Sequence, residues 1–142
     1  MKRKLKGFTL VELVITIAIV IILSVVSVPI YQGYTNKAKQ SEGYALLGLI
    51  LSAQKSYYSE YGNFFSGDGY DNYITSYDPV LGIDARGNKY FTKFRDSFSG
   101  YDIQYRFRAF VFKPLELIQN GKSEIKLDYN ITSGATFIDY EN

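Results

Sequence analysis

The run Gly7-Phe8-Thr9-Leu10-Val11-Glu12-Leu13 leads into LVITIAIVIILSVVSVPIY at positions 13–31, and this stretch decides the architecture. Leu13 to Asn36 carries no charged side chain. At 1.5 Å per residue these 24 positions form a helix of roughly 36 Å, enough for a hydrocarbon core of about 30 Å. Lys2, Arg3, Lys4 and Lys6 stand just before it. A basic flank stays on the cytoplasmic side, so this order predicts an N-terminus inside and an exported C-terminal part. A secretory signal peptide would have an apolar region of about 7 to 15 residues and a small-residue cleavage site. The longer stretch here, with Ser24, Ser27 and Pro29 inside it, predicts a membrane helix that is retained.

Composition narrows the rest. The 142 residues suit one modest domain. Against 14 Asp+Glu there are 16 Lys+Arg, and the resulting net charge of +2 does not by itself point to nucleic acid. Its sign comes from the four charges at the N-terminus, without which the remainder is net acidic. His, Cys and Trp are absent, which excludes disulfides, thiolate chemistry, Cys/His zinc sites and histidine acid–base catalysis. No nucleotide-binding Walker motif occurs, and no pair of acids stands out for hydrolysis, so an enzyme is not expected.

Glu12 is the anomaly. A carboxylate carried to mid-bilayer costs on the order of 2.5 to 3.5 kcal/mol. It belongs either at the lipid headgroups, where an acid near a helix N-terminus is stabilised, or beside a positive partner. Cleavage just before Phe8 would create such a partner, the new α-amine, available from a neighbouring copy.

The GFTLVEL run with its basic leader closely resembles the class III signal of type IV pilins and type II secretion pseudopilins. The resemblance implies cleavage by a prepilin peptidase between Gly7 and Phe8, then N-methylation of Phe8. It places the family's assembly glutamate on Glu12 and its helix proline on Pro29, with Tyr31 and Tyr34 where relatives often carry tyrosines. The residues suit these roles physically. Gly7 gives a protease an unhindered bond, and Pro29 removes one donor from the helical ladder.

Beyond the membrane, Ala38, Ala45, Leu46, Leu49, Ile50, Ala53, Tyr57 and Tyr61 recur at three- and four-residue intervals, predicting an amphipathic continuation. Lys37, Lys39, Gln40, Glu42, Lys55 and Glu60 supply its polar side, and Gly62-Asn63 is the expected terminator. One helix from about Phe8 to Tyr61 follows. Gly33 and Gly43 read either as tolerated imperfections or as sites of bending and close contact between subunits. The segment 53–64, with its paired tyrosines, acid and Gly-x-Phe, also resembles the helix end in the family.

Residues 65–100, rich in Gly, Asp, Ser, Asn and Tyr, predict a long loop with short structured pieces. Within them Asp84-Ala85-Arg86-Gly87-Asn88-Lys89-Tyr90 resembles a degraded Asp-Pro-Trp-Gly-Asn-Pro-Tyr segment of major pseudopilins, with Gly87-Asn88 reading as a turn. Alternation from Tyr101 to Ala109, extended through Phe112 and stopped by Lys113-Pro114, predicts a strand. Ile125 to Ile131 predicts a second, and Ala135 to Tyr140 a third. The expected fold is α+β: a long N-terminal helix, partly transmembrane, packed on an antiparallel sheet of three or four strands. It divides into a leader at 1–7, a membrane and assembly half-helix at 8–36, an amphipathic half at 37–62 and an exported head at 63–142. Many relatives clip the head with a disulfide; here 14 Tyr and 10 Phe must pack in its place.

No cofactor is expected. Calcium, which the resemblance suggests, would call on Asp68, Asp71, Asp78 and Asp84, but their spacing fits no loop motif and they read as solvated turn residues. Arg106 and Arg108 share a strand face, read as solvated rather than as a nucleic-acid contact.

The resemblance implies a filament subunit: a single-pass precursor in the inner membrane, processed by the peptidase/N-methyltransferase. Assembly would follow with copies of itself, an assembly platform and minor pilins into an extracellular type IV pilus for motility, adhesion or DNA uptake. The alternatives are a periplasmic pseudopilus subunit of type II secretion and a monomeric membrane-anchored binding module.

Overall fold

The computed structural model describes residues 7–66, 74–95, 106–114, 117–118 and 123–139, and the chain divides into two compact units, Met1–Lys37 and Ala38–Asn142. Helix α1 runs from Leu10 to Tyr61 and belongs in part to each. It begins two residues later than expected because Thr9 caps it. It ends as the sequence predicts: Gly62 adopts φ 73° and its N–H donates to the Tyr58 carbonyl at 2.8 Å. That single bond satisfies one of the last orphan acceptors, in a conformation glycine adopts without steric cost.

In the first unit, the helix from Leu10 to Ile30 leaves every large apolar side chain exposed. It is the one helix among the described residues long and apolar enough to cross a membrane, consistent with membrane anchoring.

The second unit holds the core. A two-stranded ribbon pairs β1 (Tyr77–Asp78) with β2 (Ile83–Asp84). A four-stranded sheet has the order β3 (Phe94–Arg95), β4 (Arg106–Phe112), β5 (Glu124–Asn130), β6 (Gly134–Asp139), antiparallel throughout. The β4–β5 register sets Phe107, Ala109 and Val111 opposite Tyr129, Leu127 and Ile125. Since side chains alternate across a strand, these six share one face. There they join Leu46, Leu47 and Ile50 of α1 with Phe64, Phe91 and Phe94 in one buried cluster. Rings do the work a disulfide would do elsewhere: Phe64 lies 5.1 Å from Phe107 and 5.8 Å from Tyr129, centroid to centroid.

Several expectations are corrected. The helix buries Gln40, Gly43, Leu46, Leu47, Ile50 and Gln54, whereas Ala38, Ala45, Leu49 and Tyr61 are exposed. The stripe is therefore rotated relative to the apolar pattern, and the reason is local. Gln54 is admitted to the interior because its amide forms two 2.9 Å bonds with the backbone N–H and C=O of Phe65, so its burial leaves no polar group unsatisfied. Gly43 serves a close contact inside the subunit: a Cβ there would stand 2.8 Å from the Phe91 ring and 3.0 Å from Ile125. Of the expected first strand, residues 101–105 lie outside the described residues, as does Tyr140 of the last. Strands β1 to β3, each only two residues long, are short structured pieces of the kind expected within the loop at 65–100.

Candidate processing and assembly site

Gly7, Phe8 and Thr9 precede the helix, and all three are exposed, Phe8 by 84%. Thr9 is the N-cap. The Glu12 backbone N–H donates to Thr9 Oγ1 at 3.3 Å, while Glu12 Oε2 accepts the Thr9 N–H and hydroxyl, both at 2.9 Å. This reciprocal arrangement is the capping box Thr-x-x-Glu, which satisfies donors that the first helical turn otherwise orphans. The expectation for Glu12 considered only headgroups or an external amine. The signal was nonetheless in the sequence, since Thr9 stands three residues before the acid.

Pro29 lies inside α1 without ending it. Having no N–H, it cannot donate to the carbonyl of Val25. Nearby hydroxyls also turn back onto the helix: Ser24 donates to the Val20 carbonyl and Ser27 to that of Leu23, both at 2.7 Å. Such bonds satisfy the hydroxyl in an apolar environment and favour slight bending. Around the proline a shallow depression of about 200 Å³ is lined by Pro29, Ile30, Gly33, Tyr34 and Lys37. At Gly33 an added Cβ would meet nothing within 4 Å, and Tyr31 and Tyr34 project outward. Lys2, Arg3, Lys4 and Lys6 lie outside the described residues.

Fully burying a Val, Leu or Ile side chain is worth about 1.5 to 3 kcal/mol. A helix that presents so many of them therefore requires lipid or other protein around it.

The other candidates resolve differently. Asp78, read as a solvated turn acid, is buried, and its Oδ1 accepts the N–H groups of Val80 and Leu81 at 2.8 and 2.9 Å. Asp84 accepts from Arg86 Nε at 2.8 Å and Nη2 at 2.6 Å, and these bonds, with the Arg86 backbone N–H, lower its pKa to about 2. Asp68 and Asp71 lie outside the described residues. Among the described residues no group of three or more His, Cys, Asp or Glu gathers to hold a metal. Arg108 is not simply solvated: its Nε donates to Asp128 at 2.7 Å, and Lys126 reaches the same carboxylate. Arg106 is exposed, as read.

Sequence reasoning missed Glu42, assigned to the polar side of the helix. Its carboxylate accepts three consecutive backbone N–H groups, from Lys89, Tyr90 and Phe91. The Asp84–Tyr90 segment thereby acquires a structural role. The Asn88 N–H donates to the Ala85 carbonyl at 3.1 Å, and its side chain bonds the Phe91 carbonyl at 3.0 Å. This turn presents residues 89–91 to the helix.

Together these features define a class: a protein with an exposed apolar N-terminal helix behind a capped, glycine-preceded start, and a sheet head packed on the helix's second half. Residues 2–28 match the family model described as the prokaryotic N-terminal methylation motif. Over 62 residues the chain is 44% identical to the fimbrial protein EcpC of Eikenella corrodens, covering 44% of this chain and 40% of that protein. It is 49% identical over 59 residues to the type IV major pilin protein PilE1 of Neisseria gonorrhoeae, covering 42% and 36%. With the type IV major pilin protein PilA of Myxococcus xanthus it shares 34% identity over 85 residues, covering 60% and 34%. The chain thus spans about 34 to 40% of the length of these curated relatives. It carries the prokaryotic N-terminal methylation motif and is similar, over 42 to 60% of its own length, to type IV major pilins.

Proposed function

We propose that this chain is a structural subunit that polymerises into a type IV pilus. The observation that carries the reading is the exposed apolar helix, most of whose membrane-length part lies within the methylation motif at residues 2–28. Such a surface is compatible with lipid before assembly and with neighbouring copies after it. The basic residues Lys2, Arg3, Lys4 and Lys6 hold the N-terminus in the cytoplasm, and the head is exported. A prepilin peptidase cuts between Gly7 and Phe8, and the new α-amine of Phe8 is methylated. In the filament, Glu12 exchanges its capping contacts for the amine of a neighbouring copy. In low dielectric an unpaired carboxylate is costly, so this pair fixes register as well as adhesion. Pro29 supplies a weak point where the helix can open on packing. The partners are copies of the chain itself, the peptidase/N-methyltransferase, the inner-membrane assembly platform and minor pilins.

The similarity to pilins and fimbrial proteins favours the pilus. The Asp84–Tyr90 segment is the feature that favours a major pseudopilin. Electron microscopy of sheared surface filaments, with mass spectrometry of their subunits, tests the proposal. Filaments built of this chain beginning at methylated Phe8 are expected. A chain found only in the membrane with residues 1–7 intact would defeat it.

A further inference from the structure

Asn130-Ile131-Thr132 is an Asn-x-Thr sequon, the acceptor pattern for N-linked glycans. Asn36, Asn63, Asn72, Asn88 and Asn120 lack a hydroxyl residue at that spacing. The motif alone is a weak signal, but the fold puts it where a transferase can use it. Asn130 is the last residue of β5, and Ile131, Thr132 and Ser133 form the exposed turn into β6. Gly134 closes that turn at φ 90°. Asn130 Oδ1 accepts the Thr132 N–H at 2.8 Å, which fixes the side-chain amide and brings its Nδ2 and the Thr132 hydroxyl to the same end of the hairpin. Among the described residues Nδ2 makes no hydrogen bond. Beside it a polar depression of about 210 Å³, lined by residues including Arg106, Asp128, Ser133 and Thr136, leaves room for a first sugar ring. Arg108 and Lys126 tether Asp128, two residues back on the same strand face, and so steady the strand that carries the acceptor.

We propose that Asn130 is an N-glycosylation site. The donor is a polyprenyl-diphosphate-linked oligosaccharide. The Asn130 amide nitrogen attacks the anomeric carbon, forming the N–C bond as the bond from that carbon to the diphosphate oxygen breaks. The electron pair leaves with the polyprenyl diphosphate, and the amide gives one proton to the transferase. This rests on the reading that the head is exported, because the transfer takes place on that side of the membrane.

The full chain would be co-expressed with a bacterial N-linking oligosaccharyltransferase and its lipid-linked glycan, purified from membranes and measured by intact-mass and glycopeptide mass spectrometry. A parallel Ser133→Cys chain, its only thiol in a cysteine-free protein, would be probed on spheroplasts with a membrane-impermeant maleimide. Expected are maleimide labelling and a mass increment of one glycan on the peptide containing Asn130. That increment should be absent from Asn130→Gln and Thr132→Ala and retained in Thr132→Ser. Labelling without a glycan in the wild type, or a glycan at another residue, would overturn the site while leaving export intact. No labelling and no glycan would overturn both.

Discussion

Glu42 Oε1 accepts the backbone N–H of Tyr90 at 2.7 Å across 48 residues of sequence. The same oxygen takes the Phe91 N–H at 2.8 Å, and the Phe91 ring presses on Gly43, the next residue of the helix. One turn of α1 thus fixes both the backbone and the side chain of the loop that leads into the sheet. Replacing Glu42 with Ala leaves two well-made donors without their acceptor, which is expected to cost about 2 kcal/mol. Glu42→Gln, whose amide oxygen still accepts, should lose less. Urea unfolding of the chain in detergent micelles gives the order; an alanine variant as stable as wild type would remove the latch from the account.

Acid should loosen the same contact. Burial alone would raise the Glu42 pKa, but the donors from Phe91, Tyr90 and Lys89 outweigh it, and the net value lies below the ordinary 4.5. A carboxyl depressed in the folded state stabilises fully above its unfolded pKa and loses that contribution as pH falls through the folded one. For Glu42 the loss begins below pH 4.5. Asp84, held by Arg86, follows between 3.8 and about 2. Near-ultraviolet circular dichroism from pH 7 to 2 should show declining stability in this window, with a shallower fall in Glu42→Gln.

Two glycines of one helix should respond to alanine with opposite sign. At Gly43 a Cβ would lie 2.8 and 2.9 Å from atoms of the fully buried Phe91 ring, and overpacking of this kind costs about 1 to 3 kcal/mol. At Gly48 it would meet nothing within 4 Å, so Gly48→Ala should gain up to about 1 kcal/mol of helix propensity. Thermal melts of the two variants decide this, and a destabilised Gly48→Ala would contradict it.

Gln54 clasps Phe65 through two hydrogen bonds from a fully buried position. Gln54→Leu is expected to cost about 2 kcal/mol, because the Phe65 N–H and C=O lose their partner where water is scarce. Amide hydrogen exchange at Phe65 is the direct readout. Unchanged protection there would mean that the chain after the helix is held by other contacts.

Thr9 and Glu12 share the capping box, so capping and assembly can be separated by substitution. Thr9→Ala should weaken the first helical turn by about 1 kcal/mol while filament yield stays near normal. Glu12→Val should leave membrane insertion intact and severely reduce filaments. Equal loss of filaments in both variants would assign the role of Glu12 to the cap. Gly7→Glu is expected to block leader removal, visible as a retained N-terminal mass.

Much of the fold was legible because it rests on local patterns. A 24-residue uncharged run dictates a membrane-length helix, and only Gly62 suits the left-handed residue that ends it. Alternation in β4 and β5 marks a half-buried sheet with little ambiguity about which side chains turn inward. The N-terminal methylation motif is contiguous, so it could be read from the chain directly. The tertiary structure decided what depends on residues distant in sequence. Glu42 became a latch, and Gln54 a buried clasp, because backbone donors and acceptors from other segments arrived beside them. Ala45 and Leu49 turned outward because the glutamine clasp and the close approach at Gly43 set the rotation of the helix on the sheet. Asp78 entered the interior because the turn following it supplied two N–H groups. Gln54 and Asp78 are buried where backbone groups from other positions bond them, and that condition concerns geometry in three dimensions, which no periodicity along the chain records.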